Sequence, residues 1–258
     1  MRLEGKRAVV TGGGRGIGAE VARSLAAEGA SVVVCSRTRS EVESIAGELT
    51  EAGHTAFALT CDVAEPTQVS ALAAAARERL GGVDILVNNA GIAPSAPLRS
   101  VTLEEWERVF AVNMTGTFLC TQAFLPAMIA AGWGRVVNIA SIAGKVGHPY
   151  IAAYAASKHA VLGFTRSVAM EAAAHGVTVN AICPGYVDTS LTDGSVERIV
   201  AKTGISAAQA VEYMKKTSPQ GRLIDAEEVA YLTLCLCDPR ARGVNGQGLV
   251  VDGGAVQS

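Results

Sequence analysis

Tyr154 and Lys158 stand four residues apart within Ala152 to Ala174, a stretch rich in Ala, with Val, Leu, Phe and Met between its polar positions and no Pro before Pro184. Ala is the strongest helix former and the apolar content is too continuous for a solvated helix, so the stretch predicts a mostly buried one. Helical residues at this spacing lie one above the other on a single face, and the phenol and the amine therefore project together. A free tyrosine titrates at about 10 and exchanges protons poorly at neutral pH. A fixed ammonium beside it stabilises the phenolate and draws its pKa toward the working range, which is the chemistry of a general acid. A core tyrosine beside a snorkelling lysine fits the two residues alone equally well. The surrounding elements have to decide.

Short runs at Lys6 to Thr11, Ser31 to Cys35, Thr55 to Thr60, Asp84 to Val87, Arg135 to Ile139, Val177 to Ile182 and Gly248 to Val251 predict seven strands. Helical composition fills Gly16 to Gly29, Ser40 to Ala52, Pro66 to Leu80, Thr102 towards Ala131, the Tyr154 stretch, and late segments near Ser195 to Lys202, Ser206 to Lys216 and Asp225 to Cys237. Thr102-Leu-Glu-Glu105 and Ser206-Ala-Ala-Gln209 read as capping boxes. Pro126 is expected to kink the long helix or end it early. Strands and helices alternating in this way imply right-handed βαβ units. The expected fold is α/β, one doubly wound Rossmann-type domain over residues 1–258, with a seven-stranded parallel sheet and helices on both faces. Such sheets bind ligands beyond the carboxyl ends of their strands.

Those ends carry small and polar residues throughout. The first strand runs into Thr11-Gly-Gly-Gly-Arg-Gly-Ile-Gly18, where Gly12, Gly16 and Gly18 would let a diphosphate approach the next helix, with Arg15 and Ile17 between them. After the second strand an NAD site places an acid for the ribose 2′-hydroxyl, but here stand Ser36 and Arg37. A guanidinium complements a 2′-phosphate, and Arg15 can approach the same group, so NADP(H) is favoured over NAD(H). Solvated surface charge is the other reading of Arg37 and Arg39. Asp62 follows the third strand, with a carboxylate suited to the adenine amino group, and Asn88-Asn-Ala-Gly91 follows the fourth. Asn88 fits a structural turn as well as a cofactor contact. Ser141 follows the fifth strand, and Pro184, Gly185 and Thr189 follow the sixth.

Composition narrows the function. Charged residues make up 18% of the chain, the mean hydropathy is +0.29 and the net charge is −2. Without a basic block, nucleic acid is not an expected partner. No run approaches the roughly 20 apolar residues of a membrane span and no leader opens the chain, so a cytoplasmic protein without membrane contact is expected. The six cysteines are scattered, Cys235-Leu-Cys237 lacks a second pair, and His54, His148, His159 and His175 have no ligand spacing. Reduced, buried thiols and no metal are the expectation.

TGGGRGIG at Thr11 to Gly18, NNAG at Asn88 to Gly91, Asn113, Ser141, YAASK at Tyr154 to Lys158, and Pro184-Gly185, in this order, resemble the short-chain dehydrogenase/reductase family across essentially the whole chain. The resemblance implies Tyr154 as general acid, Ser141 as the residue that binds and orients the carbonyl oxygen, and Lys158 as the group that tunes Tyr154 and holds the nicotinamide ribose. It implies Asn113 as the anchor of a proton-supplying water, Gly12, Gly16 and Gly18 at the diphosphate, and Asp62 and Val63 at adenine. Asn89, Ala90 and Gly91 would border the adenosine ribose, and Thr189 with Val187 the carboxamide. The segment from Gly134 to Thr165 looks most like 3-oxoacyl and polyketide-type ketoreductases and 3-hydroxyacyl dehydrogenases. The implied activity is NADPH-dependent reduction of a ketone, a β-ketoacyl (thio)ester or related compound. The alternative is an NAD(P)-dependent secondary-alcohol or 3-hydroxyacyl dehydrogenase working oxidatively. The family also implies a homotetramer.

The substrate is expected between Ser141 to Tyr150 and a lid at about 189–219, lined by Ile142, His148, Tyr150, Tyr186 and Met214. Arg198, Lys202, Lys215, Lys216 and Arg222 on or near the lid fit either the phosphates of a thioester carrier or a solvated helix face.

Overall fold

The computed structural model describes residues 1–257. Its seven strands are β1 (Arg7–Thr11), β2 (Ser31–Ser36), β3 (Ala56–Thr60), β4 (Ile85–Asn88), β5 (Gly134–Ile139), β6 (Val177–Pro184) and β7 (Gly248–Val251). All pair in parallel, in the order β3-β2-β1-β4-β5-β6-β7. The order reverses between β1 and β4, so chain leaves the sheet in opposite directions there and a crevice opens beyond Thr11 and Asn88.

Alternation along the buried strands builds two cores. Ala8 and Val10 of β1 face one side, with Val32 and Val34, and are covered by α1 (Gly16–Ala27), α2 (Arg39–Glu51) and α9 (Ala226–Cys237). Val9 and Val33 face the other, covered by α3 (Pro66–Leu80), α5 (Gly116–Ala131) and α6 (Ala152–Ala172). A parallel strand buried on both faces needs apolar residues at every position, and β1, β2 and β4 are nearly continuous Val, Ile, Leu and Ala.

The long helix departs from expectation. Pro126 lies inside α5 and does not end it; the helix runs on to Ala131 and closes at Gly132, which takes the left-handed φ of 68°. The irregularity lies earlier. α4 (Leu103–Phe110) passes into a wide π turn at Ala111–Thr115 before α5 begins, and this turn holds Asn113. Thr102 Oγ1 accepts from Glu105 N at 3.1 Å, which supplies half of the expected capping box. The box at Ser206 forms completely and opens α8 (Ala207–Lys215). Counting apolar runs also underestimated this region, because Leu103–Ala131 forms a continuous helical stretch long and apolar enough to cross a membrane by length and composition. Its start carries Glu104, Glu105, Glu107 and Arg108, and α5 contributes Cys120, Phe124 and Met128 to the core beneath the sheet.

Candidate active site

The residues that follow the strands meet along one groove of about 180 Å³. Gly12, Arg15, Gly16, Ile17, Ser36, Arg37, Asp62, Val63, Asn89, Ala90, Gly91 and Thr189 all line it. Gly12 and Gly16 have φ of 62° and 53°, a conformation that side chains disfavour, so glycine is required there. Gly18 instead lies beneath the loop, where an added Cβ would sit 2.2 Å from Gly12 O and 2.4 Å from Asn89 Nδ2.

The loop after β4 is stitched to the loop after β1. Thr11 Oγ1 accepts from Asn89 N at 3.0 Å and Ala90 N at 3.1 Å, while Asn89 Nδ2 donates to the carbonyls of Thr11 and Gly12. Asn88 turns away from the groove. Its Nδ2 donates to Thr121 Oγ1 and to Asn138 Oδ1 across the β4–β5 pair, which settles it as a structural residue. Pro184 ends β6, and Gly185 packs against Asp252 and borders a second, smaller cavity. Val187 is buried and pairs with Ile224, so its side chain does not border the groove.

Ser141 opens a single 3-10 turn after β5, its Oγ accepting from Ala143 N at 3.1 Å. It also hydrogen-bonds the Tyr154 phenol, which lowers that pKa, but desolvation is the larger effect and the phenol stays above its ordinary value. Lys158, only 5% exposed, is lowered by burial to about 8. Its Nζ donates to Ile139 O at 2.7 Å and stands 5.8 Å from the centre of the Tyr154 ring. The expected downward pull of the ammonium on the phenol is therefore absent in this arrangement. The two side chains do share a helix face, but the nearest acceptor for the amine is the carbonyl at the end of β5.

The π turn carries Asn113 into this cluster. Its Oδ1 accepts from Ile92 N at 2.8 Å, and its Nδ2 donates to Ile92 O at 2.9 Å and to Ser157 Oγ at 3.0 Å. Ser157 Oγ in turn donates to Tyr154 O at 2.7 Å. A Cβ on Gly91 would lie 3.4 Å from Asn113 Oδ1 and 3.7 Å from Lys158 Nζ, so the fourth strand's loop runs directly over the catalytic candidates.

Of the expected substrate residues, Ile142, Tyr186 and Met214 line the small cavity, and Met214 of α8 clusters with Val196 of α7 (Ser190–Thr203). His148 and Tyr150 lie outside it on exposed chain. Tyr150 is 65% exposed and holds a left-handed φ of 69°, with its carbonyl accepting from Ala96 N at 2.8 Å. Four of the five cations named on or near the expected lid have partners within the protein. Arg198 donates to Ala93 O and Ser195 Oγ, both at 2.9 Å, and Lys202 donates to Ser95 O at 2.8 Å. Lys215 and Arg222 pair with Glu212 and Glu228.

Sequence reasoning assigned no role to Gly14, Thr38, Glu41, Cys61, Ile92, Val112 and Ser190, which also border the groove, and Leu191, expected on the substrate side, borders it too. Glu41 is the consequential one, because it forms an ion pair with Arg15 at 3.4 Å. Arg37 likewise faces Asp62 at 3.8 Å. Five of the six cysteines are buried and none is bridged; burial pushes Cys61 to about 11 and Cys120 and Cys237 to about 12. Among the described residues no cluster of metal-ligating side chains forms.

Comparison with known proteins agrees with this geometry. The family model described as short chain dehydrogenase matches residues 6–199. The chain is 38% identical over 252 residues to D-beta-hydroxybutyrate dehydrogenase of Rhizobium meliloti, covering 96% of this chain and 98% of the relative. It is 42% identical over 249 residues to a putative ketoacyl reductase of Streptomyces coelicolor, covering 96% and 95%. A crystal structure of a variant actinorhodin polyketide ketoreductase with NADPH superposes with a TM-score of 0.94, at 40% identity and with 99% and 98% of the chains covered.

Proposed function

The chain belongs to the short-chain dehydrogenase family, and from that premise we propose that it is an NADPH-dependent carbonyl reductase acting on a β-ketoacyl thioester or a related ketone. The observation that carries this reading is the hydrogen-bonded Ser141 and Tyr154 pair, with buried Lys158 four residues along the same helix.

The groove fits a nicotinamide dinucleotide. Gly12 and Gly16 supply a side-chain-free turn at the start of α1, whose N-terminal amides and dipole favour a diphosphate. Asp62 and Val63 would take the adenine, Asn89 to Gly91 the adenosine ribose, and Thr189 the carboxamide. Ser36 in place of an acid, with Arg15 and Arg37 on the groove, supports a 2′-phosphate and hence NADPH over NADH. Bound there, the dinucleotide supplies the hydride.

The protein's part is position and proton transfer. Tyr154 O–H protonates the carbonyl oxygen as its carbon becomes saturated, and Ser141 O–H donates a hydrogen bond to the same oxygen. The phenolate left behind is stabilised by Ser141, and the proton would be replaced through Lys158 from a water anchored near Asn113. Asn113 is a positioning residue, because its side chain holds the Ile92 and Ser157 segments in register. We assign the segment from about 189 to 219 as the substrate lid, with Ile142, Tyr186 and Met214 at the acyl end. A homotetramer is part of the same reading.

The hydroxybutyrate dehydrogenase relative supports a second reading, in which the same residues oxidise a 3-hydroxy acid with NAD(P). Titrating the purified protein with NADPH and NADH by fluorescence, then assaying a β-ketoacyl thioester against 3-hydroxybutyrate, separates the two. Tighter NADPH binding with turnover of the keto thioester is the expected result. Tighter NADH binding with turnover of the hydroxy acid alone overturns it.

A further inference from the structure

The adenosine end of the groove is not the cationic pocket that Arg15 and Arg37 alone would make. Arg15 NH1 lies 3.4 Å from Glu41 Oε1, and Arg37 NH1 lies 3.8 Å from Asp62 Oδ2. Arg39, the remaining guanidinium nearby, is bonded to Glu43 at 2.6 Å along the outside of α2. Ser36 Oγ is folded into its own turn, accepting from Thr38 N and donating to Thr38 O at 3.2 Å. The charged groups facing a ribose 2′-substituent are thus two guanidiniums and two carboxylates.

Glu41 is seated there by the backbone. An added Cβ on Gly14 would come 2.7 Å from Glu41 Cβ, 3.2 Å from Glu41 Oε2 and 3.3 Å from Ser36 Oγ. The bare Gly14 therefore leaves the space that the Glu41 side chain fills, beside the end of β2 where dinucleotide folds make their choice between ribose hydroxyl and phosphate. Glu41 is the more sheltered partner, its side chain 30% exposed against 69% for Arg15. A 2′-phosphate arriving at this point meets a like charge and finds Arg15 already engaged, whereas a 2′-hydroxyl meets neither cost.

We propose that Glu41 is the residue that sets how strongly the chain discriminates between NADPH and NADH, by holding Arg15 and opposing a 2′-phosphate. This rests on the dinucleotide-binding reading given above. Arg15 and Arg37 favour the phosphate, Glu41 subtracts from that preference, and the balance is a smaller NADPH advantage than the two arginines alone would produce. A purely structural acid in the first turn of α2, stabilised by the helix dipole, would alter folding stability and leave the cofactor ratio alone.

The test is fluorescence titration of the parent, Glu41→Gln and the double variant Arg15→Gln/Glu41→Gln with NADPH and with NADH, alongside thermal unfolding of each. Glu41→Gln is expected to tighten NADPH about five- to tenfold and to move NADH by less than about twofold, with most of the gain lost in the double variant. A parent that binds both nucleotides and a Glu41→Gln ratio equal to the parent's, or an equal change for both nucleotides, overturns the inference alone. A parent that binds neither nucleotide overturns the dinucleotide reading and this inference with it.

Discussion

Lys158→Met is expected to stabilise the protein at neutral pH, although it removes a residue of the proposed active site. Burial lowers Lys158 from 10.5 to about 8. At about 1.4 kcal/mol per pKa unit, keeping the ammonium inside the fold costs about 3 kcal/mol at neutral pH. Between the two pKa values the unfolded chain holds the proton and the folded chain has lost it, so stability rises with pH through this window. The penalty is complete below about pH 8 and shrinks by about 2 kcal/mol between about pH 7 and about pH 9.5. The variant escapes it but loses the hydrogen bond to Ile139 O, worth about 1 kcal/mol. It should therefore be about 2 kcal/mol more stable than the parent at about pH 7 and nearly equal to it at about pH 9.5. Urea unfolding of both proteins at the two pH values measures this. Buried thiols with raised pKa values destabilise the fold at alkaline pH, but they are common to both proteins and cancel in the difference. A parent and variant with parallel pH dependence would refute the buried-ammonium argument.

Two further perturbations probe the groove and the lid. Gly18→Ala drives a methyl to within 2.2 Å of Gly12 O, a backbone atom that cannot step aside, and should cost about 3 kcal/mol, read as a Tm lower by about 8 °C together with weakened dinucleotide binding. Arg198→Met cuts the tie between α7 and Ala93 and should raise KM for the keto substrate about fivefold, leaving the Kd for NADPH within about twofold, by steady-state kinetics and titration.

Much of this arrangement was legible in the sequence, for identifiable reasons. Strand ends in a doubly wound sheet converge, so residues as far apart as Gly12, Asp62, Gly91 and Thr189 could be assigned to one edge without knowing any distance. The seven strands stood out because burial on both faces demands uninterrupted apolar runs. What escaped depended on contacts that local composition does not encode. Pro126 is the visible helix breaker, yet the helix tolerates it and widens instead around Asn113, where hydrogen bonds to Ile92 and Ser157 shape the turn. Glu41 reads as an ordinary first-turn acid of an exposed helix; only the space left by Gly14 turns it into the groove. The Tyr154 and Lys158 spacing predicted a shared helix face correctly but not the Ile139 carbonyl that captures the amine, because that acceptor comes from a different strand. Helical spacing places a side chain, and the neighbouring chain decides its partner.

The central claim is that Tyr154 delivers the proton to the carbonyl oxygen. The most direct measurement is the rate of NADPH oxidation by Tyr154→Phe with a β-ketoacyl thioester that the parent reduces, together with the Kd for NADPH. The rate should fall by about a hundredfold or more, with the Kd moving less than about threefold. A phenylalanine variant that keeps the parent's turnover would contradict it.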